Sequence, residues 1–167
     1  MRILSLLPSA TEIVYALGLA DDLVGVSHEC DYPPEVKTKR VVSASDVSPT
    51  ALSAEIHGAV SRHRHPAHSL YRLDKDLLRQ IDPEVILTQE LCDVCAIPLA
   101  QVREAARILE GPCRIISLEP NTLRQILDNI LTVGEVTGQE DRARDLIQSL
   151  QERIDRVAAA ARPRRRP

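Results

Sequence analysis

The sequence predicts an α/β fold, a three-layer lobe on a parallel sheet of about four strands, followed by a long C-terminal helix. Three observations lead there. Apolar runs of strand length occur at residues 2–7, 23–26, 85–88 and 114–118. Helical patterns of apolar spacing lie between them. Two of the intervals have the strand, helix, strand order whose crossover makes neighbouring strands parallel. The chain has 167 residues, 44% of them hydrophobic and 27% charged, which suits one ordinary globular lobe. With three Tyr, no Phe and no Trp, its core must come from Leu, Ile, Val and Ala.

The elements follow in order. After the first run, Ser9-Ala10-Thr11-Glu12 fits a capping box, predicting a helix with Ser9 as N-cap. Ile13, Val14 and Leu17 form its apolar face, and Gly18 suits the left-handed residue that ends it. Leu23-Val24-Gly25-Val26 is the second strand. From Ser27 to Asp74 the pattern is less regular, with Pro33-Pro34, a short apolar Val41-Val42, a helix around Ser53 to Arg62, and His63, His65 and His68. This stretch is expected to be loops plus that one helix.

Val85-Ile86-Leu87-Thr88 reads as a buried strand. Leu99, Val102, Ala106 and Leu109 mark one helix face, and Arg114 to Leu118 is a further strand, completing a second crossover unit. Asn121 or Thr122 can cap a helix that carries Leu123, Ile126, Leu127, Ile130 and Leu131 on one side and closes at Gly134 and Gly138. The last helix runs from about Gln139 to Ala160, and its stripe of Leu146, Leu150, Ile154 and Val157 is expected to pack on the lobe. The implied division is a lobe at 1–138, a connecting helix at 139–161 and a disordered basic tail at 162–167.

Net charge is −3, yet Arg162, Arg164, Arg165 and Arg166 crowd the last six residues, so the body is acidic. It lacks the basic face and interleaved aromatics of a nucleic-acid binder. No G-x-S-x-G, G-x-G-x-x-G or Walker loop occurs, which argues against a serine hydrolase and against either nucleotide-binding device. The start, Met1 to Pro8, is too short and weakly charged for a signal peptide, and no stretch approaches ~18 apolar residues. As written the chain is expected to stay in the cytoplasm.

In an open parallel sheet, ligands bind beyond the carboxyl ends of the strands. That rule selects Ser9, Ala10 and Thr11 after the first strand, His28 and Glu29 after the second, and Gln89 after the middle one. Cys92-Asp93-Val94-Cys95 is a C-x-x-C, whose spacing fits a redox pair or half of a zinc site completed by His63, His65 or His68. Thiols lining a loop are the plainer reading, with no metal expected.

Together these segments resemble a known family. Ser5-Leu6-Leu7-Pro8-Ser9-Ala10-Thr11-Glu12 and Val24-Gly25-Val26-Ser27-His28-Glu29-Cys30-Asp31-Tyr32-Pro33-Pro34 look like the N-terminal lobe of the cobalamin and iron-siderophore substrate-binding proteins of ABC transporters. Ser69-Leu70-Tyr71, the run from Asp82 to Gln89 and Cys92 to Ala96 resemble the cobalamin-binding subgroup. The resemblance implies two α/β lobes joined by a long helix, with ligand clamped between them. This chain is then expected to be a non-enzymatic binding module, the truncated N-terminal half of such a protein. Its ligand would be cobalamin or a related corrinoid or metal chelate, carried as cargo rather than as a tightly bound cofactor. Expected partners are that small molecule and, for an exported full-length protein, the ABC permease in place of nucleic acid; the exposed lobe face is expected to self-associate. The resemblance adds Ser45 and Tyr71 to the candidate ligand contacts. Family members are periplasmic or membrane-anchored outside the cytoplasm. A cytosolic metal-binding or thiol-redox protein using Cys92 and Cys95 is the other reading the residues leave open.

Overall fold

Five short segments pair side by side in parallel to form the sheet in the computed structural model, which describes residues 1–47, 50–54, 57–58, 71–90 and 97–161. They are β1 (Ile3–Ser5), β2 (Leu23–Val26), β3 (Arg40–Val41), β6 (Val85–Thr88) and β7 (Arg114–Ser117), in the order β3-β2-β1-β6-β7. The strand beyond the expected four is β3, two residues on the sheet's edge. Every residue of β1 and β6 is buried, as befits central strands covered on both faces. A separate antiparallel pair, β4 (Ser43–Ser45) and β5 (Tyr71–Leu73), stands where loops were expected. Its strands are too short for alternation to register in the sequence.

The chain divides into two compact units, Met1–Glu119 and Pro120–Pro167. In the first, α1 (Pro8–Ala16) follows β1 directly. It begins one residue before the predicted cap: Leu7 is the N-cap, without a side-chain hydrogen bond, and Pro8 occupies the first turn. Proline lacks the N–H that this position would leave unpaired, and its fixed φ suits a helix start, so it overrides the Ser9-x-x-Glu12 signal. Gly18 takes the left-handed conformation predicted for it, at φ 73°.

Two further helices of this unit are α2 (Lys75–Ile81) and α3 (Leu99–Ala106). Asp74 caps α2, accepting from Leu77 N at 2.9 Å; seven residues give too little periodicity for the sequence to reveal this helix. Leu4, Val42, Leu78, Ile81, Ile86, Val102 and Ala105 join in one buried cluster, so α2 and α3 cover one face of the sheet. Ser5 points to the opposite face, where its Oγ accepts from Thr11 of α1 at 2.8 Å. Helix, sheet and helix thus make the three expected layers. Burying each Leu or Ile of such a core is worth roughly 1.5–3 kcal/mol. Gly25 belongs to the same packing: a Cβ there would lie 2.9 Å from Ile81 Cδ1 and 3.1 Å from Leu4 Cδ1.

The second unit is a helical hairpin of α4 (Leu123–Thr137) and α5 (Glu140–Ala160). Thr122 caps α4 by accepting from Gln125 N at 3.2 Å. Gly138 ends α4 in the left-handed conformation, whereas Gly134 lies within the helix. There it serves the close approach of the two helices, because an added Cβ would be 2.5 Å from that of Ala143. The long C-terminal helix is present, but the stripe expected to be buried along it is not. Ala143 is its one buried residue, Leu146, Leu150 and Ile154 are intermediate, and Val157 is 71% exposed.

Of the expected helix around Ser53 to Arg62, residues 53, 54, 57 and 58 are helical and the remainder lies outside the described residues. His63, His65, His68, Cys92, Cys95 and the 162–167 tail lie outside them as well.

Candidate functional site

The sheet order makes β1 a switch point: the chain builds outward through β2 and β3 on one side, then returns to lay β6 and β7 on the other. Loops leaving β1 and β6 therefore diverge and open a crevice at the strands' carboxyl ends. The ladder continues just past the strands, with Leu6 N donating to Leu87 O and Ser27 N to Ser5 O, both at 2.9 Å. This holds the three departing loops side by side.

A small cleft, partly open to solvent, lies there. Leu6, Leu7, Pro8 and Ile97 give it an apolar wall, while Ser27, His28, Glu29, Ser43, Tyr71 and Gln89 supply polar groups. His28 is the best-fixed of these. Its backbone N–H donates to Ser43 Oγ at 3.0 Å, and its Nδ1 lies 2.7 Å from the same oxygen. The ring stands beside Tyr71, with centroids 5.4 Å apart and planes tilted by 40°. Nε2 is 3.2 Å from Glu29 Oε1, but outside hydrogen-bond geometry, so this buried nitrogen has no hydrogen-bond partner among the described residues.

Beneath the cleft runs a buried polar chain. Thr11 Oγ1 lies 2.8 Å from Ser5 Oγ and 3.1 Å from Cys30 Sγ, and Cys30 Sγ lies 3.3 Å from Ser27 Oγ. These contacts satisfy polar groups that would otherwise be costly to bury, and they tie α1 to the loop carrying His28. The other described free thiol, Cys113, is raised to about 11 by burial and then by the Asp82 charge. It is not among the cleft residues.

The structure brings four of the eight candidates, His28, Glu29, Tyr71 and Gln89, to one cleft. Ser9 is exposed on the first turn of α1, at the same end of the sheet. Ala10 and Thr11 are 0% exposed beneath it. Ser45 pairs in register with Tyr71 and its Oγ accepts from Val47 N at 3.1 Å, but it does not line the cleft. Cys92 and Cys95, the thiol candidates, lie outside the described residues. Sequence reasoning missed Ser43, which starts a strand too short to be seen, and the apolar wall of Leu6, Leu7 and Ile97. The sequence places the two leucines in the first strand, which the structure ends at Ser5, leaving them at its carboxyl end.

Among the described residues no group of three or more His, Cys, Asp or Glu is placed to hold a metal ion. No described helix is long and apolar enough to cross a membrane.

Residues 3–166 match the family described as periplasmic binding protein. Over 156 residues the chain is 30% identical to a vitamin B12-binding protein of Vibrio cholerae serotype O1, an alignment covering 90% of this chain and 45% of that protein. The backbone is similar to that of a possible iron-binding periplasmic solute-binding protein from Staphylococcus epidermidis, with a TM-score of 0.68 and 24% identity over 99% of this chain and 53% of the other. It is equally similar to the periplasmic heme-binding protein HutB of Vibrio cholerae, at a TM-score of 0.68 and 20% identity, covering 99% and 51%. At these identities the structural likeness speaks for the fold alone. The chain spans about half the length of the curated relatives it matches. The relatives named here are binding proteins, not enzymes, and two of them are periplasmic by description, so they lend no support to the cytoplasmic placement expected from the sequence.

Proposed function

The chain belongs to the periplasmic binding protein family, and from that premise we propose that it forms the N-terminal ligand-binding lobe of an ABC importer's substrate-binding protein acting outside the cytoplasmic membrane, with cobalamin or a related corrinoid as cargo. The observation that carries the reading is the cleft at the switch point, where an apolar wall meets His28, Glu29, Tyr71 and Gln89. Such a wall can lie against the flat face of a large chelate, while the polar groups reach oxygens at its edge. The 30% identity to a vitamin B12-binding protein along nearly the whole chain favours a corrinoid over heme or an iron chelate. Cys92 and Cys95 lie outside the described residues, and the family match and the vitamin B12-binding relative favour a binding protein over a thiol-redox one, so the reading built on them is not carried further.

On this proposal residues 1–138 are the lobe and 139–161 the helix leading to a second lobe, which completes the clamp. One lobe covers one side of the ligand. It loses roughly half of the contact while keeping most of the translational and rotational cost of association, so a nanomolar site falls to about micromolar or weaker. A face built to meet another lobe also tends to self-associate when uncovered. Isothermal titration with cyanocobalamin and, separately, hemin tests the ligand, and sedimentation of the same sample tests association. Weak cyanocobalamin binding reduced by Tyr71→Ala and Gln89→Ala, in a protein that dimerises or forms larger species, is the expected result. Nanomolar binding by a strict monomer, or preference for hemin, would refute the reading.

A further inference from the structure

Resting on the reading that this cleft receives a corrinoid, we infer that Ser43 fixes His28 as an Nε2–H donor, so that His28 recognises a peripheral oxygen of the ligand, an amide carbonyl or carboxylate, rather than its metal. A serine hydroxyl has one proton and two lone pairs. One lone pair of Ser43 Oγ takes the His28 backbone N–H at 3.0 Å. The remaining question is which of Ser43 Oγ and His28 Nδ1, 2.7 Å apart, carries the shared proton.

If Nδ1 carried it, Ser43 Oγ would accept twice and its own proton would have no acceptor among the described residues, on a residue only 7% exposed. Nε2 would then turn a lone pair toward the Glu29 carboxylate 3.2 Å away, which is repulsive. The imidazolium has the first of these costs as well. With the hydroxyl proton donated to Nδ1, both disappear: Ser43 uses its proton, and Nε2–H faces the carboxylate favourably. That N–H still lacks a hydrogen bond among the described residues, because Glu29 Oε1 is badly angled. An oxygen on the ligand would supply it once the exposed Glu29 side chain swings aside. A nitrogen that bears a proton has no lone pair to give a metal.

Ser43 is thus a positioning residue and His28 the contact. Nitrogen-15 chemical shifts of His28 read the tautomer directly. The wild-type chain is expected to show Nε2–H, Ser43→Ala to lose that preference, and Ser43→Thr to restore it. Titration with cyanocobalamin, whose upper axial position is closed, and aquocobalamin, whose water exchanges, reads the contact. Affinities within about twofold of each other, no histidine-dependent shift of the aquocobalamin absorption bands, and a roughly tenfold loss in His28→Ala relieved by His28→Gln are expected. An Nδ1–H tautomer in the wild type, or an aquocobalamin spectral shift abolished by His28→Ala, would overturn the proposal. Failure of both cobalamins to bind would overturn the reading of the cleft and the ligand contact with it, while the nitrogen shifts would still decide the tautomer.

Discussion

Replacing Gly134 by alanine should destabilise the helical hairpin even though alanine is the better helix former. In a helix interior the exchange alone is favourable by about 1 kcal/mol. Here the new methyl would lie 2.5 Å from Ala143 Cβ and 3.1 Å from the Gln139 carbonyl oxygen. Carbon atoms rest about 3.5–4.0 Å apart, so the helices must separate by roughly 1 Å or more. Neither obstacle is a flexible side-chain end. The turn is also tied on both sides, with Gln139 N donating to Gly134 O at 2.7 Å and Ala143 N to Gln139 O at 2.9 Å. Overpacking costs about 1–3 kcal/mol, and rigid neighbours put this site at the upper end. The net loss is then about 2 kcal/mol, a fall in Tm of about 4–8 °C for a chain of this size. Circular dichroism melting of Gly134→Ala measures it. Gly111→Ala is the control, since its nearest atom would be Asp82 Oδ2 at 3.9 Å, and it should be neutral or slightly stabilising. An unchanged or raised Tm for Gly134→Ala would refute the close-approach argument.

Thr122→Ala should remove the cap of α4 at a cost of about 1 kcal/mol, with Thr122→Ser near wild type in the same melting assay. The Cys113 thiol, raised to about 11, should be alkylated by iodoacetamide at pH 8 roughly two hundred-fold more slowly than a free thiol of pKa ~8.5, as followed by mass spectrometry of its peptide. The same shift has a stability consequence: the folded chain keeps this proton where an unfolded thiol releases it. The contribution is full below about pH 8.5 and is lost as pH rises toward 11, so chemical denaturation midpoints should fall across that window.

Much of the lobe was legible because its central strands lie in short, mostly apolar runs. Ile3 to Leu7 and Val85 to Leu87 stand out against polar flanks, and the strand-end rule then reached His28, Glu29 and Gln89 without coordinates. Length set the limit. The strands holding Ser43 and Tyr71 have three residues each and α2 has seven, too few for any periodicity to rise above chance. The α1 start failed for a different reason, since two local signals competed and the proline won. On α5 the apolar spacing of Leu146, Leu150, Ile154 and Val157 was real, but spacing describes which residues share a face and not whether that face is covered.

The position of β1 has a further consequence during synthesis. One edge of this strand is filled early, by β2 some twenty residues on. The other waits for β6, about 80 residues later, which at ~5–20 residues per second is on the order of 4–16 s of translation. Throughout that interval the nascent chain carries an open, largely apolar template. It is a docking line for the wrong segment of its own chain or of a neighbour's. Speeding the arrival of Val85 to Thr88, or shielding Ile3 to Ser5 until they emerge, should therefore raise soluble yield more than any change made to the finished surface.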